Sequence, residues 1–255
     1  MGHTRLGDLP KTRRWIQVAA LFDEGADPET IASETLAAAE TGFRQATQDS
    51  GFKYAFWLLT QVTLAARKDN FSQELSRLGL DVPKQAGLFD VIGAFTRHID
   101  TYLTQSRART DISEMGQLAA VETLTEKCAE CSKRLFGTTP ENVQQSIREL
   151  STKKNFALLA RDFFSRFTYR YLNYFLSRET AKHVGLNRRF ENIDEHTAFN
   201  EALAAHCKQT AAIVQDFAGG WYSKTAYETG ITQQDAESFT AVALKKLLSE
   251  LKRGT

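Results

Sequence analysis

Residues 156–184, FALLARDFFSRFTYRYLNYFLSRETAKHV, constrain the fold more than any other stretch. Seven of the thirteen residues from Phe163 to Phe175 are aromatic. At helical spacing Phe156, Ala160, Phe163, Phe167, Tyr171 and Tyr174 form one row, with Phe164, Leu172 and Phe175 beside it. Asp162, Arg166, Tyr169, Asn173 and Ser177 fall on the opposite side. A helix apolar over most of its circumference has to be covered by other helices, so this segment reads as the axis of a helical core.

The rest of the chain supplies the cover. Asp27-Pro28-Glu29 and Thr139-Pro140-Glu141 each place a capping side chain before a proline, a helix-start signature. Further apolar-periodic segments run over residues 13–22, 52–67, 88–106, 111–136 and 194–217, and Thr232 with Asp235 opens a last helix. Gly219-Gly220 reads as a helix stop, followed by a small hairpin or extended arm near residues 221–231. No alternating stretch argues for a sheet. The expectation is an all-α, irregular bundle of about 8–10 helices around a long aromatic-rich helix near residues 153–184. One domain over residues 1–255 is expected, with a soft internal boundary near 137–140 between Ala-rich N-terminal helices and an aromatic, basic C-terminal half.

Charge is segregated. The chain is nearly neutral at +1, yet residues 148–189 hold ten basic and three acidic residues. Lys154, Arg166, Arg170, Lys182, Arg188 and Arg189 can form a surface for nucleic acid or an acidic partner, with Tyr169 among them as a stacking platform. Trp221, directly after the two glycines, and Lys224, three residues further on, extend the candidate binding residues. The alternative is that arginine stems line the buried helix and their heads pair with acids of neighbouring helices.

Cysteine chemistry adds little. Three cysteines are too few for a disulfide framework and fit a reducing, cytoplasmic location, and no run of eighteen uncharged apolar residues suits a membrane span. Cys128 and Cys131 have metal-ligand spacing, but His206 and Cys207, adjacent on a helix, point about 100° apart and cannot readily both ligate. Neither a metal nor a cofactor is expected. Phosphate-binding, dinucleotide, zinc-protease and serine-hydrolase motifs are all lacking in the sequence.

Arg178-Glu-Thr-Ala-Lys-His183 resembles the active-site signature of the HEPN ribonucleases, an arginine followed four to six residues later by a histidine on a helix. That resemblance implies a metal-independent ribonuclease in which Arg178 and His183 of paired subunits face one another. The family places Asn, Asp or His after the arginine, where this chain has Glu179. A structural role is the other reading: Lys182 and His183 stand in the last turn of a helix that Gly185 ends, where cations favour the helix dipole. The leading expectation is a non-catalytic accessory protein that binds another protein, with DNA or RNA as the second choice of partner. Class association alone extends the expectation to a bacterial multi-gene system such as antiviral defence.

Overall fold

The computed structural model describes residues 9–134, 139–228 and 230–253. Among them are eleven α-helices and one 3₁₀ turn, with no strand. In chain order they are α1 (Arg13–Asp23), α2 (Pro28–Gln45), α3 (Ser50–Ala65), α4 (Phe71–Arg77), α5 (Leu88–Gln105), α6 (Asp111–Arg134), α7 (Pro140–Leu150), α8 (Lys153–Thr180), α9 (Ile193–Thr210), α10 (Ala212–Glu228) and α11 (Gln233–Arg253). The 3₁₀ turn, Ala181–His183, extends α8. Positions 137 and 138 of the expected internal boundary lie outside the described residues. Buried apolar residues on both sides of it belong to one contiguous core.

Several helix starts are fixed by the caps legible in the sequence. Thr30 donates its backbone N–H to Asp27 Oδ1 at 2.9 Å and its hydroxyl to Oδ2 at 2.8 Å. These bonds stabilise the ionised form and hold the Asp27 carboxyl below its usual range. Thr139 accepts from Asn142 N–H, and Thr232 accepts from Asp235 N–H while donating to its carboxylate. Asn192 caps α9, accepting from Glu195 N–H at 3.0 Å.

The segment expected as one helix over residues 194–217 is two, broken at Ala211. The second of them overturns the expected glycine stop and hairpin, because α10 runs unbroken through Gly219-Gly220 to Glu228. Its packing explains why. Gly219 is buried, and a Cβ added there would fall against the carbonyl oxygen of Lys153, 3.1 Å from Lys153 Cγ and 3.3 Å from Ala157 Cβ. The missing side chain lets α10 lie directly on α8. Close packing then outweighs the roughly 1 kcal/mol by which each glycine disfavours a helix.

The axis is α8, about 42 Å long at 1.5 Å per residue. Phe156, Phe163, Phe164, Phe167, Tyr171 and Leu172 are buried on it. Their rings interlock with those of the surrounding helices. Phe52 of α3 lies 4.4 Å from Phe167, and Phe56 lies 5.2 Å from Phe163 and 5.2 Å from Phe239 of α11. Tyr222 of α10 stacks on Phe156 at 3.8 Å and meets the Thr63 hydroxyl at 2.9 Å. Tyr171 donates its hydroxyl to Ala39 O, and a Cβ added at Gly42 would stand 2.5 Å from the Tyr171 hydroxyl oxygen.

Candidate functional site

One side of α8 is left partly uncovered, between α6 and α9. Ser165, Arg166, Tyr169, Arg170, Asn173, Tyr174 and Ser177 line two clefts there. The first, of about 330 Å³, is closed on the α9 side by Ala204, Ala205 and Lys208 and on the α6 side by Glu122. The second, of about 280 Å³, runs on past Met115, Leu118 and Asp111. Tyr169 and Arg170 line both, so the two form one groove along the polar strip of α8. Small side chains at Ala204 and Ala205 leave the space. Leu118, half-exposed, gives the far end an apolar wall.

The groove is rich in charge, but its charges are matched. Arg166 reaches Glu122 at 3.3 Å and pairs with Glu126 through Nη2, and Arg170 reaches Glu122 at 2.8 Å. Asp162, expected on the solvated side of α8, is buried instead, because Lys127 at 2.8 Å and Lys208 at 3.6 Å come to it from two neighbouring helices. The Nε–H groups of Arg166 and Arg170 are buried and have no acceptor. Burial raises the pKa of the Tyr169 hydroxyl, so the groove presents it as a neutral phenol.

The remaining candidates lie elsewhere and meet other partners. Lys154 is exposed on the first turn of α8. Arg189 is built into the fold. It donates to Leu21 O and Ala26 O at the end of α1, and its guanidinium lies 5.2–5.3 Å from the rings of Phe22, Phe190 and Phe199. Exposed Arg188 donates to Lys182 O at 2.9 Å, and Lys182 pairs with Glu179 at 3.1 Å. Trp221 stacks on Phe239 at 4.2 Å as a half-buried core residue, while Lys224 is exposed three residues on. The cations expected on a common exterior patch therefore divide between the groove and the two ends of α8.

Arg178 and His183 do not share a partner. Arg178 lies over the Tyr174 ring at 4.9 Å. His183 is buried and stacked on Phe22 at 5.2 Å, with Nδ1 3.6 Å from Asp23 and Nε2 3.4 Å from Glu179. Both ring nitrogens face carboxylates of its own chain, which suits a tie between α1 and α8.

Sequence reasoning missed Glu122, Glu126, Lys208 and Leu118. Glu122 and Glu126 carry a usable signal: their one-turn spacing matches that of Arg166 and Arg170.

Among the described residues no group of three or more His, Cys, Asp or Glu side chains is placed to hold a metal. Cys207 is buried and its thiol is pushed up to about 12 by burial. Iodoacetamide at mildly alkaline pH should leave Cys207 unmodified in the folded protein and label it fully after denaturation. Peptide mass mapping reads this, and rapid native labelling would contradict the burial. No family model matches the chain, and comparisons with curated proteins and with solved structures find no match.

Proposed function

We propose that this protein is a non-catalytic helical binding subunit of a larger assembly that engages another protein through the groove along α8. The observation that carries this reading is the open polar strip, from Ser165 to Ser177, on a helix otherwise sheathed by aromatic packing. Covering such a strip completes the burial of the half-buried Tyr169 and Tyr174 rings and of half-exposed Leu118 among polar neighbours, the mixture protein interfaces favour. The paired charges argue for a protein rather than nucleic acid. A phosphate backbone draws its affinity from an extended run of surplus cations, and here two arginines stand against two glutamates. No helix among the described residues is long and apolar enough to cross a membrane. With three cysteines in the sequence, we place the assembly in the cytoplasm.

Co-purification from the native host tests the reading. The wild-type chain should bring down a defined protein partner. Arg170→Glu should lose it, and Lys224→Glu, remote from the groove, should keep it. Retention of the partner by Arg170→Glu would overturn the assignment. In filter binding, no salt-dependent retention of DNA or RNA is expected at low ionic strength, and a steep salt dependence would favour a nucleic-acid partner instead.

A further inference from the structure

The two arginines of the groove are met by two glutamates of α6. Arg166 and Arg170 are one helical turn apart on α8, and Glu122 and Glu126, one turn apart on α6, meet them as a matching pair. Three features mark this as an exchangeable contact. The glutamate side chains are 44% and 56% exposed, and pairs of that kind contribute only a few-fold each to an equilibrium. Glu122 is shared between two guanidiniums. The contacts also use only the terminal nitrogens, leaving both buried Nε–H groups without an acceptor. A guanidinium binds a carboxylate best through two parallel N–H bonds, and an incoming carboxylate seated side-on would satisfy Nε and a terminal nitrogen together.

Resting on the binding reading above, we infer that Arg166 and Arg170 form a receptor for an acidic helical segment with carboxylates one turn apart, masked in the free protein by Glu122 and Glu126. The occupant is a helix of a partner protein that copies what α6 already presents, and its docking displaces the two glutamates. Lys208, on the opposite wall of the same cleft, is held toward the buried Asp162 at 3.6 Å, so the two arginines are the cations that face α6. The groove is therefore self-inhibited by charge.

The test uses the full chain and a labelled helical peptide bearing two glutamates four residues apart, read by fluorescence anisotropy. An otherwise identical glutamine peptide and a single-stranded RNA are the comparison probes. Glu122→Gln with Glu126→Gln should bind the acidic peptide about tenfold tighter than wild type, the combined gain from removing several half-exposed pairs. Adding Arg166→Gln and Arg170→Gln should abolish that gain. Glu126→Gln alone, at an exposed side chain, gives a smaller gain and serves if a multiple variant fails to fold by circular dichroism. No gain on unmasking would overturn the inference, and equal gains for RNA and for the acidic peptide would overturn the acidic-segment assignment. If unmasking has no effect while Arg170→Glu still strips the host partner, masking fails and the binding reading stands. If neither variant has an effect, both fail.

Discussion

Phe56→Ala should remove about 3–5 kcal/mol of stability, among the largest losses available to a single truncation in this protein. Phe56 is fully buried on α3, and its ring lies within 5.2–6.4 Å of Phe156, Phe163, Phe164, Trp221 and Phe239. Those rings belong to α8, α10 and α11, so the cavity opens where four helices meet. Aromatic neighbours this numerous are rigid and relax poorly into a void, which puts the expected cost toward the upper part of the range. With total stabilities of domains near 5–15 kcal/mol, the variant should unfold at a much lower urea concentration with an unchanged slope. A shift under about 1 kcal/mol would mean that Phe56 is not where these helices meet.

Gly219 and Gly220 are adjacent on α10, yet substitutions there should act in opposite directions. Gly219→Val puts a branched side chain against the Lys153 carbonyl and Ala157. The backbone of α8 cannot move aside as a flexible side chain would, and a loss of about 3 kcal/mol is expected. Gly220 is exposed, with nothing within 4 Å of an added Cβ, so Gly220→Ala should stabilise by about 0.5–1 kcal/mol through helix propensity. Urea denaturation of the pair separates packing from propensity. Equal destabilisation by both would mean that α10 does not continue through the glycines as a helix.

These two glycines also mark the limit of what local sequence conveys. The long aromatic helix, its burial and several capped helix starts are legible because each depends on residues within one or two turns: Asp27 before Pro28, Thr139 before Pro140, or a row of rings at helical spacing. Whether a glycine ends a helix or admits a neighbour depends on what lies opposite, and for Gly219 that is Lys153, 66 positions earlier in the chain. The groove was legible only in part for the same reason. Arg166, Tyr169 and Arg170 stand out as a polar strip on α8, but the acids that match them come from α6 and the gap beside them from two alanines of α9. Asp162 reads as a solvated residue until Lys127 and Lys208 arrive from separate helices. Arg189 and Lys154, both basic and close to α8 in sequence, differ only in their surroundings: carbonyls and three rings for one, solvent for the other.

Side-chain footprinting of the complex with its host partner bears most directly on the groove as the binding surface. Hydroxyl radicals label exposed and half-buried side chains, and exposed Leu118 with half-buried Tyr169 and Tyr174 along the groove provide reporters, with Phe89 and Tyr227 exposed elsewhere as references. Binding as proposed should suppress labelling of Leu118, Tyr169 and Tyr174 several-fold while Phe89 and Tyr227 react as in the free chain. Protection of Phe89 or Tyr227 with unchanged labelling of the three groove residues would contradict it.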